Sequence, residues 1–308
     1  MESHRLPRFK RASKVAPIQI TERDCQIIWQ IHRHRFLRSS HIVALLGENS
    51  QQLLRRLQLL FHHGYLERPR SQIDYFHRGG SRHIVYGMGN KGGRLLQQEL
   101  GVAFGERRSG EKNRFVGRVY LEHALLVSDV MVALELACRK VGHVRLIAQD
   151  ELLSDRKAHS PRSAFKWSVK TTGGAKLGLI PDRVFGLEFP AQDGVSNRAY
   201  FFLEADRGTM PVTRRSLSQT SFSRKLLAYE ATWTQELHRS LFGFHRFRVL
   251  TVTTSAARAA SLVTACSELK SGHGLFLFTD ATTLRQQEDL FTLPWKTGRS
   301  VETSRLLD

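Results

Sequence analysis

The sequence predicts a mixed α/β chain in two parts, a small helical domain closed by a β-hairpin and a larger α/β domain after it. Three observations carry this. Between Thr21 and Gly64 apolar residues recur at helical spacing in three short segments, and a strand, a turn and a second strand follow. From His143 to Phe278 short apolar strands alternate with helical stretches. The charge is uneven: 22 basic and 9 acidic side chains to residue 120, 25 and 19 after it, for a net charge of +19. A hydrophobic fraction of 41% over 308 residues fits a globular chain with a sizeable core.

Composition also excludes. No run approaches the roughly 18 apolar residues of a spanning helix. The basic start MESHRLPRFKRASK lacks the apolar stretch of a secretory signal. Cys25, Cys138 and Cys266 are odd in number and far apart, which argues against a disulfide framework or a paired-cysteine zinc site and for a reducing cytoplasm. No P-loop, GxSxG or CxxC pattern occurs. A large basic excess points to a polyanion, since phosphate neutralisation supplies most nonspecific nucleic-acid affinity. A ribosome-like or membrane-surface protein is the rival reading of the charge alone.

The elements follow in order. Residues 1–17 read as a basic tail. Thr21 with Asp24 forms a capping-box start, and Ile27, Ile28 and Ile31 give the helix its apolar face as far as about His34. Ser39-Ser40 starts a second helix, stopped by Gly47. Ser50 starts a third, in which Leu53, Leu54, Leu57, Leu60 and Phe61 share a face. Gln51, Gln52, Arg55, Gln58 and His62 point away from it, with Arg56 on its flank, and His32, His34, His62 and His63 read as solvated. Residues 65–68 and 84–86 are strands around a basic tip holding Arg78 and Arg82, and a short helix begins near Asn90. Three compact helices and a hairpin are the winged helix-turn-helix order, assigned to residues 18–100. In that fold Gln51, Gln52, Arg55 and Arg56 would meet base edges of duplex DNA, and Arg78 and Arg82 its backbone or minor groove. A winged helix used for protein contacts, or an ordinary solvated helix face, is the alternative.

Gly101–Gly117 reads as a linker and residues 118–290 as the α/β domain, with 291–308 a tail. Val119–Lys140 is a helix apolar on most sides that still carries Glu122, His123, Asp129 and Glu135, polar groups that need partners or a site. Strands are expected at 143–148, about 165–169, 177–187 and 200–206, with a hairpin turn at Asp193-Gly194. A helix at about 221–238, a strand at 247–252, a helix at 256–270 and a strand at 275–278 complete the domain. Asp182 stands on one strand, Glu204 and Asp206 on the next. Strand period is two, so Glu204 and Asp206 share a face, and antiparallel pairing can set Asp182 beside them. Converging carboxylates repel unless a cation sits among them, and hard oxygens suit Mg²⁺ or Mn²⁺. Lys225 is placed to orient a nucleophile or offset charge, with Tyr229 one turn on, and Glu122 is a further candidate ligand. Plain salt bridges to Arg183 or Arg207 are the other reading of the acids.

Ile180-Pro181-Asp182, Phe202-Leu203-Glu204-Ala205-Asp206-Arg207-Gly208-Thr209 and Lys225-Leu226-Leu227-Ala228-Tyr229 resemble the plasmid replication-relaxation family. A helix like Leu121–Val130 ahead of the core and the N-terminal winged helix resemble it as well, over roughly residues 20–255. The resemblance implies a restriction-endonuclease-like, PD-(D/E)xK domain, with Asp182 and Glu204 as metal ligands. It also implies DNA nicking or cleavage in plasmid or mobile-element replication or mobilisation. One departure stands out: Asp206 occupies the position of the usual nuclease lysine, and Lys225 is the candidate replacement. The expected reading is thus a metal-dependent DNA endonuclease or relaxase using Asp182, Glu204, Asp206 and Lys225. The alternative is a non-catalytic DNA-binding regulator or relaxosome accessory. Double-stranded DNA is the expected partner, with relaxosome or replication proteins and a homodimer as further expectations, no membrane, and a cytoplasmic location with nucleoid or plasmid.

Overall fold

The computed structural model describes residues 6–47, 49–73, 83–101, 109–154, 164–171, 173–192, 195–287, 289–299 and 302–307. It is mixed α/β and divides into two compact units, residues 1–132 and 133–308.

The first unit begins with α1 (Glu22–His34), β1 (Phe36–Arg38), α2 (Ser39–Leu46) and α3 (Ser50–His62). Then come β2 (Leu66–Glu67), β3 (Val85–Met88), α4 (Asn90–Leu100) and α5 (Ser109–Arg114). The long helix α6 (Arg118–Val141) starts in this unit and runs across the division. The capping box forms: the Thr21 N–H and hydroxyl donate to Asp24 Oδ2 at 2.8 and 3.0 Å. Asn49, rather than Ser50, caps α3 by accepting from the Gln51 and Gln52 amides. Gly47 ends α2 in the left-handed region, φ 63°. Ile27, Ile28, Ile31, Ile42, Leu53, Leu57 and Leu60 are all fully buried.

Four details depart from the sequence reading. Phe36–Arg38 is a strand, and it pairs antiparallel with β3 to give the sheet order β1-β3-β2. His34 and His62 are buried, not solvated, while Leu54 is exposed. His62 is covered because the N-terminal segment lies on α3: the Ala12 N–H donates to His62 Nδ1, and Arg11 donates to the Phe61 carbonyl and to Glu67. The basic tail is therefore partly bound chain. Lastly, the expected linker contains α5, where Asn113 donates to the Met88 carbonyl and Arg114 pairs with Glu67.

The second unit contains the end of α6, then β4 (Arg145–Ile147), α7 (Gln149–Ser154), β5 (Trp167–Lys170), β6 (Lys176–Leu179), β7 (Arg183–Gln192) and β8 (Val195–Ala205). Next are α8 (Phe222–Thr234), α9 (Leu237–Phe242), β9 (Phe247–Thr253), α10 (Ala256–Ser267), β10 (Phe276–Asp280) and α11 (Ala281–Gln286). Two short strands, β11 (Trp295–Thr297) and β12 (Thr303–Ser304), close the unit. Seven strands form one sheet in the order β12-β11-β10-β9-β8-β7-β4, in which β8, β9 and β10 are parallel. Parallel neighbours need crossovers, and α8–α9 and α10 supply them. β5 and β6 make a separate hairpin, in which Trp167 Nε1 donates to Thr232 Oγ1 of α8 at 2.8 Å. The core gathers Val184, Phe202, Leu226, Tyr229, Val249, Leu262, Phe276 and Phe278.

Here too the sequence reading needs amending. The 177–187 strand is two strands, broken at Ile180-Pro181-Asp182. The helix expected at 221–238 ends at Thr234, and Glu236 takes a left-handed conformation before α9. The segment read as a C-terminal tail adds β11 and β12 to the sheet and buries Trp295 completely.

Candidate active site

β7 and β8 pair antiparallel with Arg183 opposite Leu203, so the register sets Asp182 against Glu204. The Asp182 N–H donates to the Leu203 carbonyl at 3.0 Å, and Asp182 Oδ2 accepts from the Ala205 N–H at 2.8 Å. Asp182 is therefore fixed by backbone, and it stays half-buried.

Glu204 is 1% exposed. Its Oε2 accepts from Lys225 Nζ and its Oε1 from the Tyr229 hydroxyl at 2.7 Å. Lys225 and Tyr229 stand one turn apart on α8, so one helix face supplies both donors. Burial pushes the Glu204 carboxyl up to about 7; Lys225 pulls against this and Asp182 adds to it. Burial works against the charge on Lys225, but Glu204 and Asp182 outweigh it and hold the ammonium above its ordinary range. Two carboxylates thus share one ammonium. Tyr229 is 1% exposed, and burial, with Glu204 beside it, drives its hydroxyl well above the usual phenol range. Its hydroxyl donates to Glu204 and fixes that carboxylate's orientation.

Asp206 has a different set of partners. Its Oδ2 accepts from Thr253 Oγ1 and from Arg258 Nε, both at 2.8 Å. Its Oδ1 accepts from Arg258 Nη2 at 3.2 Å and from the Gly208 N–H at 3.3 Å. Gly208 makes this turn at φ 70°. A bidentate guanidinium, a hydroxyl and a backbone amide thus engage both oxygens. Asp206, expected as a metal ligand, is held here by an arginine. Local spacing carries no signal for its clamp, because Arg258 lies 52 residues away on the first turn of α10. For Asp206 the salt-bridge reading finds its partner in Arg258.

Glu122 belongs to the first unit, where Arg118 pairs with it one helical turn away at 2.8 Å. Asp129 and Glu135, the other acids of α6, pair with Arg38 and Arg139. Among the described residues no group of three His, Cys, Asp or Glu is placed to hold a metal ion. The remaining donor set is Asp182 with Glu204. It fits a hard divalent cation, because Mg²⁺ is commonly held by one or two carboxylates, with water and substrate phosphate completing its shell.

The first unit carries the other candidates. Gln51, Gln52 and Arg55 are exposed on the first turns of α3. Arg56 is not: its Nε donates to Asp24 Oδ1 at 2.6 Å, and its Nη2 reaches Asp24 Oδ2 and the Gln19 carbonyl. Asp24 is completely buried, so Arg56 neutralises a core charge. Arg78 and Arg82 lie outside the described residues.

The profile of the replication-relaxation family matches residues 29–244, a span that includes α3 and every member of the Asp182, Glu204 and Lys225 set. No curated protein and no solved structure matches the chain. No helix among the described residues is long and apolar enough to cross a membrane.

Proposed function

The chain belongs to the replication-relaxation family, and from that premise we propose that it binds duplex DNA through its first unit and hydrolyses a phosphodiester bond at Asp182, Glu204 and Lys225. Family membership points to a role in replication or mobilisation of a DNA element. The observation that carries the catalytic reading is that Asp182, just before β7, stands beside Glu204 of β8, with Lys225 laid on Glu204 from the next helix. The element order α1-β1-α2-α3-β2-β3 around an antiparallel sheet supports reading the first unit as a winged helix, with Gln51, Gln52 and Arg55 toward the major groove.

The roles follow from chemistry. Asp182 and Glu204 would hold Mg²⁺ or Mn²⁺, which supplies a low-pKa water and offsets the charge that builds on the phosphorus oxygens. Lys225 is partly exposed and carries donors beyond the one on Glu204, so it can hold a nonbridging phosphate oxygen or orient the attacking water. Tyr229 fixes the rotamer of Glu204. The water oxygen bonds to phosphorus while one ester oxygen departs and takes up a proton. Asp206 with Arg258 braces the end of β8.

Incubation of the full chain with supercoiled plasmid and Mn²⁺ tests this. Wild type is expected to yield nicked circles, and Asp182→Ala to lose at least ~100-fold in rate while still shifting DNA. A second reading has one observation in its favour: every oxygen of Glu204 and Asp206 already has an internal donor, as in a non-catalytic DNA-binding regulator. Intact plasmid with both proteins, under Mg²⁺ and Mn²⁺, would give that reading the case.

A further inference from the structure

Between Asp206 and α8 the chain runs Arg207-Gly-Thr-Met-Pro-Val-Thr-Arg-Arg-Ser-Leu-Ser-Gln-Thr220, with three arginines, five hydroxyl side chains and no acid. The loop is pinned at its base. The Gly208 N–H donates to Asp206, and Arg258, already on Asp206, donates through Nη2 to the Met210 carbonyl at 2.6 Å. The first residues of α8 complete the anchor: the Phe222 N–H donates to the Pro211 carbonyl at 3.0 Å and the Ser223 N–H to the Val212 carbonyl at 2.8 Å. The outer part, residues 213–220, is exposed throughout, and Arg214 and Arg215 line a surface recess with Thr213, Ser216 and Gln219. Neither Arg214 nor Arg215 has a hydrogen-bond or ion-pair partner among the described residues.

Two adjacent guanidinium groups without a carboxylate repel each other, and an anion offsets that repulsion. Guanidinium with hydroxyl and amide donors is the set that contacts phosphate oxygens. The position is specific as well, since the loop joins the strand that bears Glu204 to the helix that bears Lys225. We propose that this loop is the strand-holding surface of the hydrolytic site: Arg214 and Arg215 bind backbone phosphates of DNA next to the scissile one, and the Asp206–Arg258 pair is the brace that keeps them there. The inference rests on the catalytic reading for the meaning of "next to the scissile one", and on the loop's own charge and anchoring for DNA binding. It gives Asp206 a positioning role in place of the ligand role the sequence suggested.

The test measures fluorescence anisotropy of a labelled duplex oligonucleotide with the full chain, in EDTA to prevent cleavage, between 50 and 200 mM NaCl. Wild type, Arg214→Ala/Arg215→Ala and Arg214→Lys/Arg215→Lys are compared. Two lost phosphate contacts make the slope of log K against log salt shallower by about 2 and weaken binding roughly tenfold or more near 100 mM, and the lysine pair restores most of the slope. An unchanged slope and affinity in the alanine pair overturns the proposal. Loss of binding to phosphatidylserine vesicles with DNA affinity unaltered overturns it too, since the loop then meets a membrane surface. Failure here and failure of the catalytic reading are separable. A wild type that nicks no plasmid can still show the slope change, which upholds the loop. A nicking wild type whose alanine pair keeps its slope and its KM defeats the loop alone.

Discussion

Replacing Lys225 with alanine is expected to lower the unfolding free energy of the second unit by about 3 kcal/mol at pH 8 and to abolish strand scission. The stability figure is the low end of what breaking a buried ion pair costs, since the ammonium is partly solvated. What remains is Glu204, almost wholly enclosed, with Asp182 close by and only Tyr229 donating to it. The loss depends on pH. Glu204 has a folded pKa of about 7, above the ordinary 4.5, so folding favours its protonated form. Its contribution to stability is full below the unfolded value and is lost as pH rises through 7. Urea unfolding should accordingly show a smaller Lys225→Ala penalty at pH 5 than at pH 8. Glu204→Gln should flatten the wild-type decline across that window. A Lys225→Ala penalty that is equal at both pH values would contradict the coupling.

Arg56→Ala is expected to cost the first unit about 3 kcal/mol, against less than about 0.5 kcal/mol for the exposed neighbour Arg55→Ala. The difference comes from Asp24, which is completely buried, closes the α1 capping box and takes two contacts from Arg56. Burial alone would raise the Asp24 carboxyl; Arg56 and the Thr21 donors overcome this and hold it below the ordinary 3.8. A carboxyl lowered in the folded state contributes stability that is present above its unfolded pKa and is lost as pH falls through its folded one. Thermal melts at pH 7 and pH 3 should show the Arg56→Ala deficit shrinking toward acid. DNA binding should respond the other way round, with Arg55→Ala weakening it in protein of normal stability. An Arg56→Ala protein that melts like wild type but loses DNA would restore Arg56 to the groove.

Local spacing made much of this legible, and long-range partners hid the rest. Thr21 and Asp24 are three residues apart, so the start of α1 could be read directly, and Gly47 marked the end of α2. The period-two argument put Glu204 and Asp206 on one face, because strand pleating is a local property, and Lys225 of α8 meets Glu204. The same argument could not separate Glu204 from Asp206, since what divides them is Arg258 on a helix four elements later. Arg56 looked like a surface residue of an amphipathic helix, and its true partner is 32 residues upstream. His62 fell on the polar side of α3 by spacing, yet chain from residue 11 onward covers it. β1, β11 and β12 are two or three residues long, too short for alternation to register, and exist through pairing alone.

In the proposed site Asp182 and Glu204 form one cation-holding pair and Asp206 stands outside it. Loss of the free Mn²⁺ signal in electron paramagnetic resonance, titrated into the full chain, measures this without any substrate. One bound Mn²⁺ per wild-type chain is expected, with loss of that binding in Asp182→Asn and in Glu204→Gln, and retention in Asp206→Asn. A wild type that takes up no Mn²⁺, or binding that survives both Asp182→Asn and Glu204→Gln, would contradict it.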